Sequence, residues 1–222
     1  MVKQTSKKKS IRRKLTAVAV GTVLLVAGTI GVVRRTVNPG EKVVAVIDGD
    51  TFTISNKENI RLSSLNAPEN NFCFGKEAKD ALSKEILGKT VILKDLKYAQ
   101  YGRVMALVYV DGTLVNELLI KNGFAYRIAD SSTESEALSK ASDFAKENRI
   151  GIYSDKCYQV KPPNSKCVIK GNITSPDGKY IYTMPGCVHY DETIVQKYKG
   201  EDWYCTEKEA KAAGYSKSPN CK

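Results

Sequence analysis

The sequence predicts an α+β fold, mainly β. A five-stranded barrel with attached helices is preceded by an N-terminal transmembrane helix and followed by a small disulfide-stabilised α+β module. Three observations predict this. β-branched runs arrive as three strands, a helix, two strands and then more helices. Leu15–Val33 is a stretch of 19 residues without a charge, flanked by basic clusters. Six cysteines, Cys73, Cys157, Cys167, Cys187, Cys205 and Cys221, make an even number.

Of the 35 Lys and Arg, nine lie in residues 1–35, where no acid occurs, leaving 26 against 24 Asp and Glu. The formal charge of +11 therefore belongs mostly to the tail, and the rest of the chain carries only +2. Bulk basicity does not mark a nucleic-acid binder here; local placement of charge must. As a helix at about 1.5 Å per residue, Leu15–Val33 spans roughly 28 Å, close to the hydrocarbon thickness of a bilayer. Seven basic residues precede it and two follow, which puts the N-terminus in the cytoplasm. The length of the run, Arg34-Arg35 directly after it and the fact that no A-x-A site stands out at its end favour an anchor over a cleaved signal peptide. Either way residues 36–222 are expected outside the cell membrane, and the chain is secreted if the segment is cleaved. Disulfides suit that compartment. A zinc reading needs C-x-x-C pairs, and the chain has none.

The expected organisation is a basic cytoplasmic tail (1–14), an anchor (15–33), a linker (34–40), a barrel domain (41–158), a second linker (159–165) holding Pro162-Pro163, and the module (166–222). Lys42–Ile47 is a β-branched strand broken by Gly49, and Thr51–Ser55 alternates in period two. After the Asn56–Asn59 turn, Ile60–Leu65 forms a third strand, ended before Pro68. Lys76–Leu87 carries apolar residues at helical spacing and closes on Gly88. Strands follow at Thr90–Leu93 and Val104–Val110, the latter turned by Asp111-Gly112. Val115–Lys121 and Glu134–Asn148 read as helices. This order is that of an OB-type barrel. In the module, Cys167–Ile173 and Lys179–Thr183 read as a hairpin, and Thr206–Glu209 carries the capping pattern that starts a helix. So small a unit has little core of its own, so disulfides should matter there. Four cysteines allow three pairings, and all three stay open.

His189 is the one histidine, and it reads as structural. Mechanisms built on paired histidines are thereby excluded, and carboxylates, arginines and a metal must carry any hydrolytic site. The charged candidates Asp48, Asp50, Arg61 and Glu69 sit at strand ends, and the motifs along the chain are D-G-D-T at Asp48–Thr51, I-R-L at Ile60–Leu62, A-P-E at Ala67–Glu69, F-G-K-E-A at Phe74–Ala78, Y-G-R at Tyr101–Arg103, and L-V-N-E-L-L-I-K-N-G-F-A from Leu114. In this order over residues 41–153 they resemble the staphylococcal-type thermonuclease family.

The resemblance implies a calcium-dependent phosphodiesterase acting on DNA, with RNA as a second candidate substrate, that leaves 3′-phosphates. It implies Asp50, Asn66 and Ala67 as calcium ligands, with Asp48 behind Asp50. Ala67 would act through its backbone carbonyl, leaving its side chain free to vary. Arg61 and Arg103 would clamp the phosphate, since guanidinium forks match its oxygens. Glu69 would activate or orient the attacking water. Two positions depart from the pattern. Asn66 and Ala99 stand where aspartates are usual, so calcium should bind more weakly. The alternative is a weakened nuclease-like barrel that binds nucleic acid at the cell surface. The resemblance also implies a bridge here, since secreted relatives often carry cysteines at the places of Cys73 and Cys157. A bridge between them would close a loop of about 84 residues, worth roughly 4 kcal/mol. More loosely, C-x-I-K-G-N-I at Cys167–Ile173 and W-Y-C-T-E from Trp203 resemble a small module that follows secreted bacterial nucleases.

Overall fold

In the computed structural model, residues 40–99, 103–174 and 178–221 are described. The expected basic tail, the span 15–33 and nearly all of the first linker lie outside them, as do Tyr101 and Gly102 of Y-G-R. Among the described residues no helix is long and apolar enough to cross a membrane.

The first three strands, β1 (Glu41–Val46), β2 (Thr51–Ile54) and β3 (Asn59–Leu62), run antiparallel in sequence order. A two-residue strand β4 (Leu65–Asn66) and helix α1 (Gly75–Ile86) lead to β5 (Thr90–Tyr98) and β6 (Val104–Val110). β5 pairs with β1 and β6, and β6 pairs in parallel with β3, so five strands close on themselves. This is the OB-type closure. It forms because alternate residues are apolar and point inward: Phe52 and Ile54, Ile60 and Leu62, and Val104 and Ala106 are buried. The short β7 (Thr113–Leu114) folds back on β6 and opens helix α2 (Val115–Lys121). Then come β8 (Tyr126–Arg127), which pairs with β4, and helix α3 (Ser135–Glu147).

Two strand extents in the barrel differ from expectation by more than one residue. The third strand was expected to continue to Leu65, yet it stops at Leu62. Ser64 turns the chain at φ 63°, its hydroxyl donating to Asp130 at 2.6 Å, and the buried Asn116 amide donates to the Ser63 carbonyl at 2.8 Å. β5 was expected to end at Leu93, yet it runs to Tyr98 through a bulge with Asp95 at φ 49°. Exposed Lys94 and Leu96 beside half-buried Asp95 and Lys97 blur the alternation that marks a strand.

The remaining chain adds β9 (Tyr158–Gln159), β10 (Ile169–Ile173), β11 (Tyr180–Thr183), β12 (Val195–Gln196), β13 (Asp202–Tyr204), helix α4 (Glu207–Ala212) and β14 (Ser216–Lys217). Four of these form a sheet in the order β13-β10-β11-β14. Thr206 caps α4, accepting from the Glu209 amide at 3.2 Å; the Glu209 carboxylate reaches back to the Cys205 N–H at 2.9 Å, one residue before the usual partner. Ile169, Tyr182, Ala210 and Tyr215 make a small core. Lys170 is also buried, its ammonium donating to the Tyr190 and Thr193 carbonyls at 2.6 Å each. β9 pairs with β12, and Tyr198 packs with Ala145, Ile152 and Tyr153, so this part is seated on α3 and the end of the barrel chain. All six cysteines pair, as Cys73–Cys157, Cys167–Cys205 and Cys187–Cys221.

Candidate active site

The turn Asp48-Gly49-Asp50 between β1 and β2 sets the first groups. The Asp48 carboxylate accepts from the Asp50 N–H at 3.0 Å, which bends the chain so that the Asp50 side chain turns inward and is only 3% exposed. One Asp50 oxygen accepts from Arg61 Nη1 at 2.5 Å and from the Thr51 hydroxyl at 2.9 Å; the other accepts from the Ala67 N–H at 3.0 Å. Burial pushes the Asp50 carboxyl up to about 6, against the opposing pull of Arg61 and the Ala67 N–H, with Asp48 adding to the rise.

Arg61 stands on the outer face of β3, between inward-facing Ile60 and Leu62. Its second arm, Nη2, donates to Asn66 Oδ1 at 2.5 Å, and Asn66 Nδ2 donates to the Tyr126 hydroxyl at 3.1 Å. Asn66 can do this because β4 pairs with β8, placing Asn66 opposite Tyr126. The result is a chain of contacts from Asp50 through Arg61 and Asn66 to Tyr126.

The Ala67 methyl group lies against the turn. Gly49 lies beneath it, and a Cβ on Gly49 would stand 2.6 Å from the Ala67 Cβ and 2.7 Å from that of Ala78 on α1. The turn, the Ala67 segment and α1 meet with no space to spare.

An open cavity of about 420 Å3 lies beside this group. Arg61, Asn66, Ala67 and exposed Glu69 share its wall; Asp50 does not line it but holds Arg61 and Ala67, which do. Arg103 does not line the cavity. It precedes β6 on the strand beside β3, two residues before Met105, the register partner of Arg61, and is exposed. Tyr126, Tyr198 and Lys199 also line the cavity, although nothing in the sequence singled them out. A motif reading cannot find them, because they reach it from β8 and from the far end of the chain. The spacing of Asn116 in L-V-N-E-L-L does carry a signal: a polar residue in an apolar helical run points to a buried tie. Its Oδ1 accepts from Val108 N at 2.9 Å.

The ligand atoms gathered here are oxygens, the Asp50 carboxylate and the Asn66 amide oxygen, both bonded to Arg61. That set suits a hard cation such as calcium. It is poor in charge, since among the described residues no cluster of three or more His, Cys, Asp or Glu is arranged to hold a metal. A carboxylate pushed up by burial gains most from a nearby positive charge, and here Arg61 supplies one.

Comparison with known proteins agrees with the motifs. Staphylococcal-like nuclease CAN1 of Arabidopsis thaliana is 35% identical over 103 residues, 46% of this chain and 31% of that protein. An uncharacterized endonuclease of Escherichia coli is 30% identical over 118 residues, 51% of this chain and 76% of that protein. One of Haemophilus influenzae is 32% identical over 118 residues, 51% of this chain and 66% of that protein. The chain thus spans under a third of the plant relative and about three-quarters of the E. coli one. The family model for staphylococcal nuclease homologues matches residues 59–155, from β3 to just before Cys157. With Arg61, Asn66, Ala67 and Glu69 on one cavity of a closed five-stranded barrel, the chain belongs to the staphylococcal nuclease homologue family.

Proposed function

We propose that the barrel hydrolyses phosphodiester bonds of DNA, with RNA as a second candidate, in a calcium-dependent reaction that leaves 3′-phosphates, and that residues 15–33 anchor it outside the cell membrane. The observation that carries the reading is Arg61, held between Asp50 and Asn66 on a cavity that also receives Glu69.

Arg61 is prepositioned because both its arms are already engaged, so little side-chain freedom is lost when a phosphate arrives. Glu69 is exposed on the same wall and accepts a proton from the attacking water. The water oxygen bonds to phosphorus, the bond to the 5′-oxygen breaks, and that oxygen departs with the bonding pair and takes up a proton. Arg103, just before the neighbouring strand β6, would meet growing charge on the phosphoryl oxygens. Asp50, Asn66 and the Ala67 carbonyl would hold calcium, with Asp48 fixing the turn beneath Asp50. When bound, calcium supplies positive charge against the phosphate.

The test is release of acid-soluble nucleotides by the purified full chain. We expect release with calcium and none with chelator. Arg61→Ala, Arg103→Ala and Glu69→Gln should each lower turnover by about a hundredfold or more. Arg61→Ala also leaves Asp50 buried without its ion-pair partner, so Arg61→Lys serves as the folded control. Strand binding without calcium-stimulated release would favour the binding-module reading. Recovery in the membrane fraction, with cleavage of nucleic acid added outside intact cells, tests the anchor.

A further inference from the structure

The far wall of the cleavage cavity comes from beyond the family match, which ends at Asp155. Ile173, Thr174, Tyr198 and Lys199 stand there, and the mechanism above uses none of them. Lys199 is half-buried, with its ammonium 5.4 Å from the centre of the Tyr126 ring and 5.7 Å from that of Tyr198. Tyr126 in turn accepts from Asn66, the partner of Arg61. Lys199 makes no ion pair among the described residues. The nearby Glu201 is already engaged by the Gln196 and Ile173 N–H groups and by Asn172. Lys199 thus lies over two rings at the edge of a cavity, its nearest carboxylate, Glu201, is felt through space but already held by N–H groups, and its ammonium can also meet an anion from outside.

The same two rings, Tyr126 and Tyr198, also line a second cavity of about 410 Å3, walled further by Tyr158, Lys146 and Arg149. Aromatic faces with cations between them are what holds a nucleic-acid strand without reading its sequence. We infer that the C-terminal part builds a second nucleotide subsite: Lys199 holds the phosphate next to the scissile one, and the tyrosine-lined cavity takes the base of that flanking nucleotide. This rests on the nuclease reading above.

The test is binding of a fluorescently labelled single-stranded oligodeoxynucleotide to the full chain in chelator, followed across a salt series, with cleavage measured separately in calcium. Lys199→Gln should weaken binding about fivefold and make the slope of log affinity against log salt shallower by about 0.7, the share of one phosphate contact. Lys199→Arg should keep both. Tyr158→Leu should weaken binding about tenfold with the salt slope unchanged, because stacking carries no counterion release. Cleavage of a dinucleoside monophosphate, whose one phosphate is the scissile one, should be the same in wild type and Lys199→Gln. If wild type binds and cleaves the oligonucleotide and Lys199→Gln matches it in affinity and slope, the subsite falls and the nuclease reading stands. If wild type neither binds nor cleaves, the nuclease reading falls and takes the subsite with it.

Discussion

Asn66 stands where the family resemblance leads one to expect an aspartate, and its contacts say what a change there would do. Its carbonyl oxygen receives Arg61 and its amide donates to the Tyr126 hydroxyl. An aspartate can accept from both groups, since a tyrosine hydroxyl can donate as well as accept. Asn66→Asp should therefore fold and add one negative charge where calcium would sit. Part of the gain is offset by drying the new carboxylate beside a buried Asp50. We expect the calcium requirement to fall by roughly tenfold, about 1.4 kcal/mol. Activity against free calcium measures it, and an unchanged or higher half-saturation point removes Asn66 from the ligand set. At this scale the sequence was most legible where a residue acts beside its own strand end. Asp48, Asp50, Arg61 and Asn66 all meet through contacts 11 residues apart or fewer. Lys199 was not legible, because its meeting with Tyr126 follows from how two distant segments pack and not from spacing.

The segment from Val195 to Gly200 is the element that braces the Glu69 loop. Lys197 N donates to the Cys157 carbonyl at 2.8 Å, while the Lys197 carbonyl faces the Cys73 N–H at 3.5 Å. Gly200 lies against the Phe72 ring at φ +88°, and a Cβ there would approach the ring to 2.6 Å. Gly200→Ala must therefore strain its own backbone and push Phe72, three residues from Glu69. We expect a loss of about 1–3 kcal/mol in denaturant unfolding together with a lower kcat. Unchanged kcat in a destabilised variant would show that the loop holds Glu69 without this brace. Element extents followed the same logic of legibility. Helix α2 was expected over Val115–Lys121 and lies there, because its apolar spacing and the Asn122-Gly123 stop are local signals. The break of β3 after Leu62 was not, because Ser63 and Ser64 take their partners from α2 and from Asp130.

Across the whole molecule, covalent links fasten parts that local propensity would not. Cys73 and Cys157 are 84 residues apart and join the start of α1 to the end of the barrel chain. On the chain-entropy model a loop of that size is worth about 4 kcal/mol. Reductant, or paired Cys73→Ser and Cys157→Ser substitutions, should lower the Tm of the purified protein. Six free thiols in the unreduced, unfolded chain would contradict the bridges. The pairing of the four other cysteines could not be read from spacing, since it depends on how β10, β13 and the C-terminal end come together. The parallel contact of β3 with β6 has a further consequence, in time rather than in space. A chain grows from its N-terminus, so β1, β2 and β3 exist before the strand that closes the barrel, and must wait with an open edge. The segment that backs the Glu69 loop is made later still, after residue 194. A chain halted between those two points can close its barrel yet leave Glu69 unbraced, so the order of synthesis places shape before competence.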